Sequence, residues 1–122
     1  MRKITLICCL LLAACGTETD AEINNEAPVI VISSNHIIAT PSITASPNQT
    51  IILVNYDDVP HTVTSQSSPD AFDETGIFDS VIPSQGKTVL TIPNANSGDV
   101  FNFYCRFHLE NEIPANGEII IQ

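Results

Sequence analysis

Short apolar or β-branched runs alternate with clusters of Pro, Asn, Gly, Ser and Asp along most of the chain. The runs are Val29–Ile32, Ile37–Ala39, Ser42–Ala45, Thr50–Asn55, His61–Ser65, Lys87–Ile92, Val100–Cys105 and Glu118–Ile121. Runs of this length between turn residues predict strands. About eight short strands in roughly 95 residues predict an all-β sandwich or barrel. No segment carries the periodicity of a long helix. The longest interruption, Pro69 to Ser80, predicts an excursion with one helical turn, pinned to the core by Ile77 and Phe78.

Alternation within two runs places particular side chains. In Phe101-Asn102-Phe103-Tyr104-Cys105 the two Phe and Cys105 share a face, which is predicted to be the core side. In His61-Thr62-Val63-Thr64-Ser65, His61 shares its face with Val63. Both Cys105 and His61 are thus predicted to point inward where a strand meets a loop, the usual place for a site built on a rigid scaffold.

The first residues read differently. Arg2 and Lys3 precede an apolar run from Ile4 to Ala14, too short to span a membrane and arranged like a secretory signal. The run ends Leu12-Ala13-Ala14-Cys15-Gly16, which resembles a bacterial lipobox. The resemblance implies that residues 1–14 are a signal peptide and that Cys15 is lipidated. It also implies an anchor on the periplasmic side of a membrane, and Gly16 after the cysteine resembles lipoproteins of the outer membrane. Residues 16–27 are polar and acidic and predict a flexible tether reaching about 40 Å, so that 15–28 lead into a domain over 29–122.

Loss of residues 1–14 leaves Lys87 and Arg106 against 14 carboxylates, a formal charge of −12. Such a surface disfavours nucleic acid and anionic lipid and attracts basic partners. Membrane contact is then expected through the lipid alone, and the domain is expected to be a monomer. Cysteine usage narrows the chemistry further. Cys8 and Cys9 leave with the signal and Cys15 takes the lipid, so Cys105 has no disulfide partner. A lone thiol in an oxidising compartment needs burial or a ligand.

His61, Cys105 and His108 supply that context. The Cys-Arg-Phe-His spacing lets a strand end and its following turn offer a thiolate and an imidazole to one ion. Two imidazoles and a thiolate form the copper electron-transfer set. Structural zinc wants four firm ligands. A Cys-His nucleophilic pair is open on residue types alone, but no orienting group accompanies it. His36 has no comparable context and reads as a loop residue.

Asn55-Tyr56-Asp57-Asp58-Val59-Pro60-His61-Thr62-Val63 resembles the N-x-D-x-x-P-H-x-V motif of the amicyanin and plastocyanin branch of the cupredoxins. Phe103-Tyr104-Cys105-Arg106-Phe107-His108 resembles their Y-C-x-x-H ligand loop, and Gly117-Glu118-Ile119-Ile120-Ile121 their closing strand. Pro69–Asp73, Phe78–Ser80 and Ile38–Ala45 resemble further segments of the same family. The resemblance implies a Greek-key fold and one copper ion held by His61, Cys105 and His108. It implies that Asn55 ties the two ligand loops together and that Pro60 stiffens the approach to His61. The function implied is single-electron transfer with a redox partner protein, without catalysis, and with His108 as the electron exit.

One departure stands out. The family places an axial Met two residues before the closing Gly, where this chain has Ala115. Met1 is the sole methionine. The site is then three-coordinate, or takes Glu112, Asn111, Glu110 or a backbone carbonyl as a weak fourth ligand, with Glu112 the favoured side chain. The lost thioether keeps open a second class of function, copper storage, delivery or sensing without redox turnover.

Overall fold

The computed structural model describes residues 26–109 and 115–122. Among these residues there are nine strands: β1 Val29–Ser33, β2 Ile37–Ile38, β3 Ser42–Ala45, β4 Ile51–Asn55, β5 His61–Gln66, β6 Asp79–Ile82, β7 Lys87–Leu90, β8 Val100–Tyr104 and β9 Asn116–Ile121. They form a four-stranded sheet, β2-β1-β4-β7, and a five-stranded sheet, β3-β9-β8-β5-β6. Strands β1 and β4 pair in parallel, as do β3 and β9; the other pairs are antiparallel. The fold is an all-β Greek-key sandwich. Among the described residues no helix is long and apolar enough to cross a membrane.

All eight predicted runs form strands, most of them within a residue or two of the expected ends. The ninth, β6, lies at the end of the excursion and pairs along β5, with His61 opposite Ile82. Its sequence, Asp-Ser-Val-Ile, carries too few apolar positions to stand out alone. The excursion itself holds bends and turns and no helical turn. Phe78 pins it to the core at 6 % exposure, while Ile77 faces solvent.

The core fills the space between the two sheets. Ile30, Ile32, Ile51 and Leu53 come from one sheet, and Val63, Ile82, Phe103 and Ile119 from the other. Strict alternation holds in β4 but not in β5, where all six residues are buried. The reason is that the outer face of this sheet is covered too. Gln66, on that face, accepts the Phe72 N–H of the excursion, and the ring of Phe72 packs 5.8 Å from that of Tyr104. Burying two large faces of a short strand is a non-local effect that its own pattern does not carry. Gly117 lets β9 approach closely: a Cβ there would collide with the carbonyl of Pro41 and the ring of Phe103.

Candidate metal centre

Topology brings the predicted ligands to one end of the sandwich. Strands β5 and β8 are antiparallel, with Thr64 opposite Tyr104, so the start of β5 and the end of β8 coincide. His61 opens β5, and Cys105 follows β8 directly. Both are fully buried. The Cys105 N–H donates to the Ala115 carbonyl, which extends the β8–β9 ladder one step and closes the base of the ligand loop.

The donors converge. Cys105 Sγ lies 3.5 Å from His61 Nδ1 and 3.4 Å from His108 Nδ1. Imidazole and thiolate donors about 2.0–2.3 Å from one ion, in trigonal to tetrahedral arrangement, stand roughly 3.5–3.8 Å apart. The observed separations therefore fit a single small metal ion, and a thiolate beside two imidazoles suits copper or zinc rather than hard cations. The thiol also receives the Thr62 N–H at 3.4 Å, a donor that stabilises negative charge on sulfur.

The loop after Cys105 is fixed by a chain of hydroxyls. The Arg106 N–H donates to Thr62 Oγ1 at 2.9 Å. Thr62 Oγ1 and Thr64 Oγ1 are 2.8 Å apart, and Thr64 Oγ1 is 2.8 Å from Asp79 Oδ1. An ionised carboxylate only accepts, so Thr64 gives its single hydrogen to Asp79 and Thr62 must donate to Thr64. Arg106 Nε closes the ring by donating to the same Asp79 oxygen at 3.0 Å. That guanidinium bond is the main cause holding the Asp79 carboxyl below the ordinary range; burial opposes it and Thr64 adds to it.

Asn55 sits at the end of β4 and is buried. Its amide nitrogen, with two hydrogens, donates to the Val59 carbonyl and shares its second hydrogen between those of Ile82 and Pro83, and its oxygen accepts the Asp57 N–H. These bonds join the His61 loop to the β6–β7 turn. Among the described residues, Thr62 joins the start of β5 to the loop after β8, through the Cys105 thiol and the Arg106 N–H. Pro60 directly precedes His61, as the motif places it. Glu112 and Cys15, predicted as a fourth ligand and a lipid attachment point, lie outside the described residues.

Two residues enter the site that the sequence left without a role. Asp57 Oδ2 lies 2.9 Å from His61 Nε2 and 2.8 Å from His36 Nδ1, and accepts the His36 N–H at 3.2 Å. Asp57 Oδ1 accepts the Asp58 N–H. The carboxyl is held well below the usual range, first by its bond to His61, with the backbone N–H groups of Asp58 and His36 and the His36 ring adding, against the effect of burial. His36, read from sequence as a loop residue, sits in a 3-10 turn over Ser34–His36. Its ring stacks on that of His108, with centroids 4.4 Å apart and planes 18° apart.

Ligand atoms of His36, His61 and His108 lie within 4.8 Å of one another. The nitrogen of His61 nearest His36 Nδ1 is Nε2, at 3.4 Å, and Asp57 occupies it. The nitrogen that faces the thiol is Nδ1. One ring nitrogen of His61 thus faces Cys105, while the other meets Asp57 on the side of His36. Asp57 was visible within the N-x-D-x-x-P-H motif. His36 had no sequence signal, because only the parallel pairing of β1 with β4, which puts Ile32 opposite Asn55, sets its turn beside Asp57.

The model of the cupredoxin-like domain matches residues 4–121. A comparison with curated proteins gives no match. Among solved structures, a purple cupredoxin from Nitrosopumilus maritimus has a TM-score of 0.63 at 16 % identity, over 78 % of this chain and 99 % of that one. Amicyanin from Paracoccus versutus (Thiobacillus versutus) has a TM-score of 0.55 at 18 % identity, over 80 % and 82 % of the two chains. A Cu(I) amicyanin carrying a methionine-to-alanine change has a TM-score of 0.56 at 17 % identity, over 79 % and 82 %. Identities this low carry the likeness of fold. The family match over almost the whole chain, the nine-stranded sandwich and the His-Cys-His cluster at its end agree, and the chain belongs to the cupredoxin-like domain family.

Proposed function

We propose that this protein is a copper-binding electron carrier, with one ion held by His61, Cys105 and His108. The observation that carries this reading is the convergence of Cys105 Sγ on His61 Nδ1 and His108 Nδ1 at 3.5 and 3.4 Å. Copper bound there would supply one-electron redox chemistry. The chain's own contribution is rigidity. His61 and Cys105 are fully buried on strand ends, and the Thr62–Thr64–Asp79–Arg106 ring holds the intervening turn. A fixed ligand cage limits the rearrangement between oxidation states, which favours electron transfer over storage or delivery.

Access runs through His108. It is part-buried, and its neighbours Phe107 and Leu109 are 37 % and 45 % exposed, so a partner can reach this edge of the site but not His61 or Cys105. The proposal extends to a monomeric, non-catalytic domain tethered by lipid on Cys15 at the periplasmic face of a membrane, the outer membrane by the Gly16 signal. Its partner would be a basic redox protein, given the surplus of carboxylates. Adding Cu(II) to the domain tests the reading. One equivalent should give an intense sulfur-to-copper absorption band, abolished in Cys105→Ser; no stoichiometric uptake would refute it.

A further inference from the structure

Asp57, His36 and the faces of the metal-ligand rings form a unit of their own. One carboxylate oxygen, buried with its residue at 5 % exposure, takes three N–H groups: His61 Nε2, His36 Nδ1 and the His36 backbone. Because an ionised carboxylate accepts only, the hydrogen of neutral His61 must sit on Nε2. That leaves the Nδ1 lone pair directed at Cys105, the arrangement a metal requires. A histidine ligand backed by a carboxylate is also the more basic donor.

His36 is held in place at a cost. It has φ 63° and follows Asn35 at φ 68°, both left-handed conformations in residues with a side chain. Such residues persist where the surroundings over-determine them. Here the determinant is visible: Asp57 binds His36 through both its backbone and its ring, and the ring thereby lies flat on His108. The same carboxylate thus reaches one ligand directly and the other through a stacked imidazole.

We propose that Asp57 and His36 are positioning residues for the metal site: Asp57 locks His61 in the Nε2–H tautomer, and His36, clamped by Asp57, braces the ring of His108. This rests on the copper reading above for its effect on the metal, but the tautomer is a property of the metal-free chain. The arrangement supplies ligand control from the histidine side in a chain that lacks a methionine at the family's axial place.

Two readouts test it. In the metal-free protein, at a pH where the ring is neutral, long-range nitrogen–proton correlation spectra should show His61 purely as the Nε2–H form. Asp57→Ala should give a mixture of tautomers. With copper, Asp57→Ala should lower Cu(II) affinity by about 10–100-fold, the usual cost of removing a carboxylate behind a histidine ligand. Loss of negative charge beside the site should also raise the reduction potential. His36→Ala should broaden the His108 ring signals in the metal-free protein, and His36→Phe, which restores a flat ring, should sharpen them again. Should Asp57→Ala fail to fold by circular dichroism, Asp57→Asn replaces it with the same expectations in weaker form. An unchanged His61 tautomer with Cu(II) affinity within twofold of wild type overturns the role of Asp57. His108 signals indifferent to both His36 substitutions overturn that of His36. Absence of copper uptake by wild type refutes the copper reading alone, since the tautomer and ring signals still decide the positioning claim.

Discussion

Replacing Thr64 by Val removes one hydroxyl from the middle of the chain that holds the Cys105–His108 turn. Thr64 is 1 % exposed and Thr62 fully buried. The direction of the chain fixes what is lost. Thr64 no longer donates to Asp79, and the Thr62 O–H, fully buried, loses its acceptor. A hydrogen bond to a charged acceptor contributes roughly 1.5–3 kcal/mol, and an orphaned buried donor costs about 1–3 kcal/mol. Asp79 is 38 % exposed, so water recovers part of the first contribution. The new methyl returns about 0.8 kcal/mol of apolar burial. The net expectation is a loss of about 2–4 kcal/mol. For a domain of this size that lowers Tm by roughly 10–20 °C. Urea unfolding of the metal-free domain measures it, with an unchanged slope against denaturant showing that only stability has moved. Thr64→Ser keeps the hydroxyl and should stay near wild type. A loss below about 0.5 kcal/mol in Thr64→Val, or an equal loss in Thr64→Ser, would refute the directed chain.

Asp57 and Asp79 both have folded pKa values below their unfolded ones, so the folded domain binds fewer protons than the unfolded chain in the acid range. The stability they contribute is complete above the unfolded value of about 3.9 and drains away as pH falls through the folded values. Urea midpoints between neutral and strongly acid pH should therefore fall steeply for the metal-free wild type and less so for Asp57→Asn; parallel curves would contradict the assignment. Glu112→Gln should raise the reduction potential and alter the EPR hyperfine pattern if that carboxylate is the fourth ligand, and no change in either would remove Glu112 from the site. Electron transfer to a basic partner should slow steeply with added salt, by up to roughly 10–10³-fold from steering alone. A salt-independent rate would point to docking on the apolar surface at Phe107 and Leu109.

Local pattern was sufficient for much of this protein. The eight runs became strands because each is a short apolar or β-branched segment between turn formers, and alternation within β8 put Phe103 and Cys105 on the core side. That His61, Cys105 and His108 meet at one end of the sandwich was legible because the spacing from Cys105 to His108 and the Pro60–His61 pair are local in sequence. What escaped depends on the second sheet face and on strand order. Strand β6 is specified by its partner β5 more than by its own residues. Tyr104 is buried because Phe72, thirty-two positions earlier, covers it. Thr62 and Thr64 alternate away from the core, and only the folded excursion makes their hydroxyls a buried chain. His36 reaches the site through a parallel strand pair, a long-range relation that no local motif encodes.

The central claim is that Cys105, with His61 and His108, holds copper. The most direct test is the visible and EPR spectrum of the metal-free domain titrated with Cu(II), beside the same titration of Cys105→Ser. The wild type should develop an intense sulfur-to-copper band that saturates at one equivalent, and the serine variant, folded by circular dichroism, should lack it. A wild type that takes up no copper, or a serine variant that keeps the same band, would contradict the assignment.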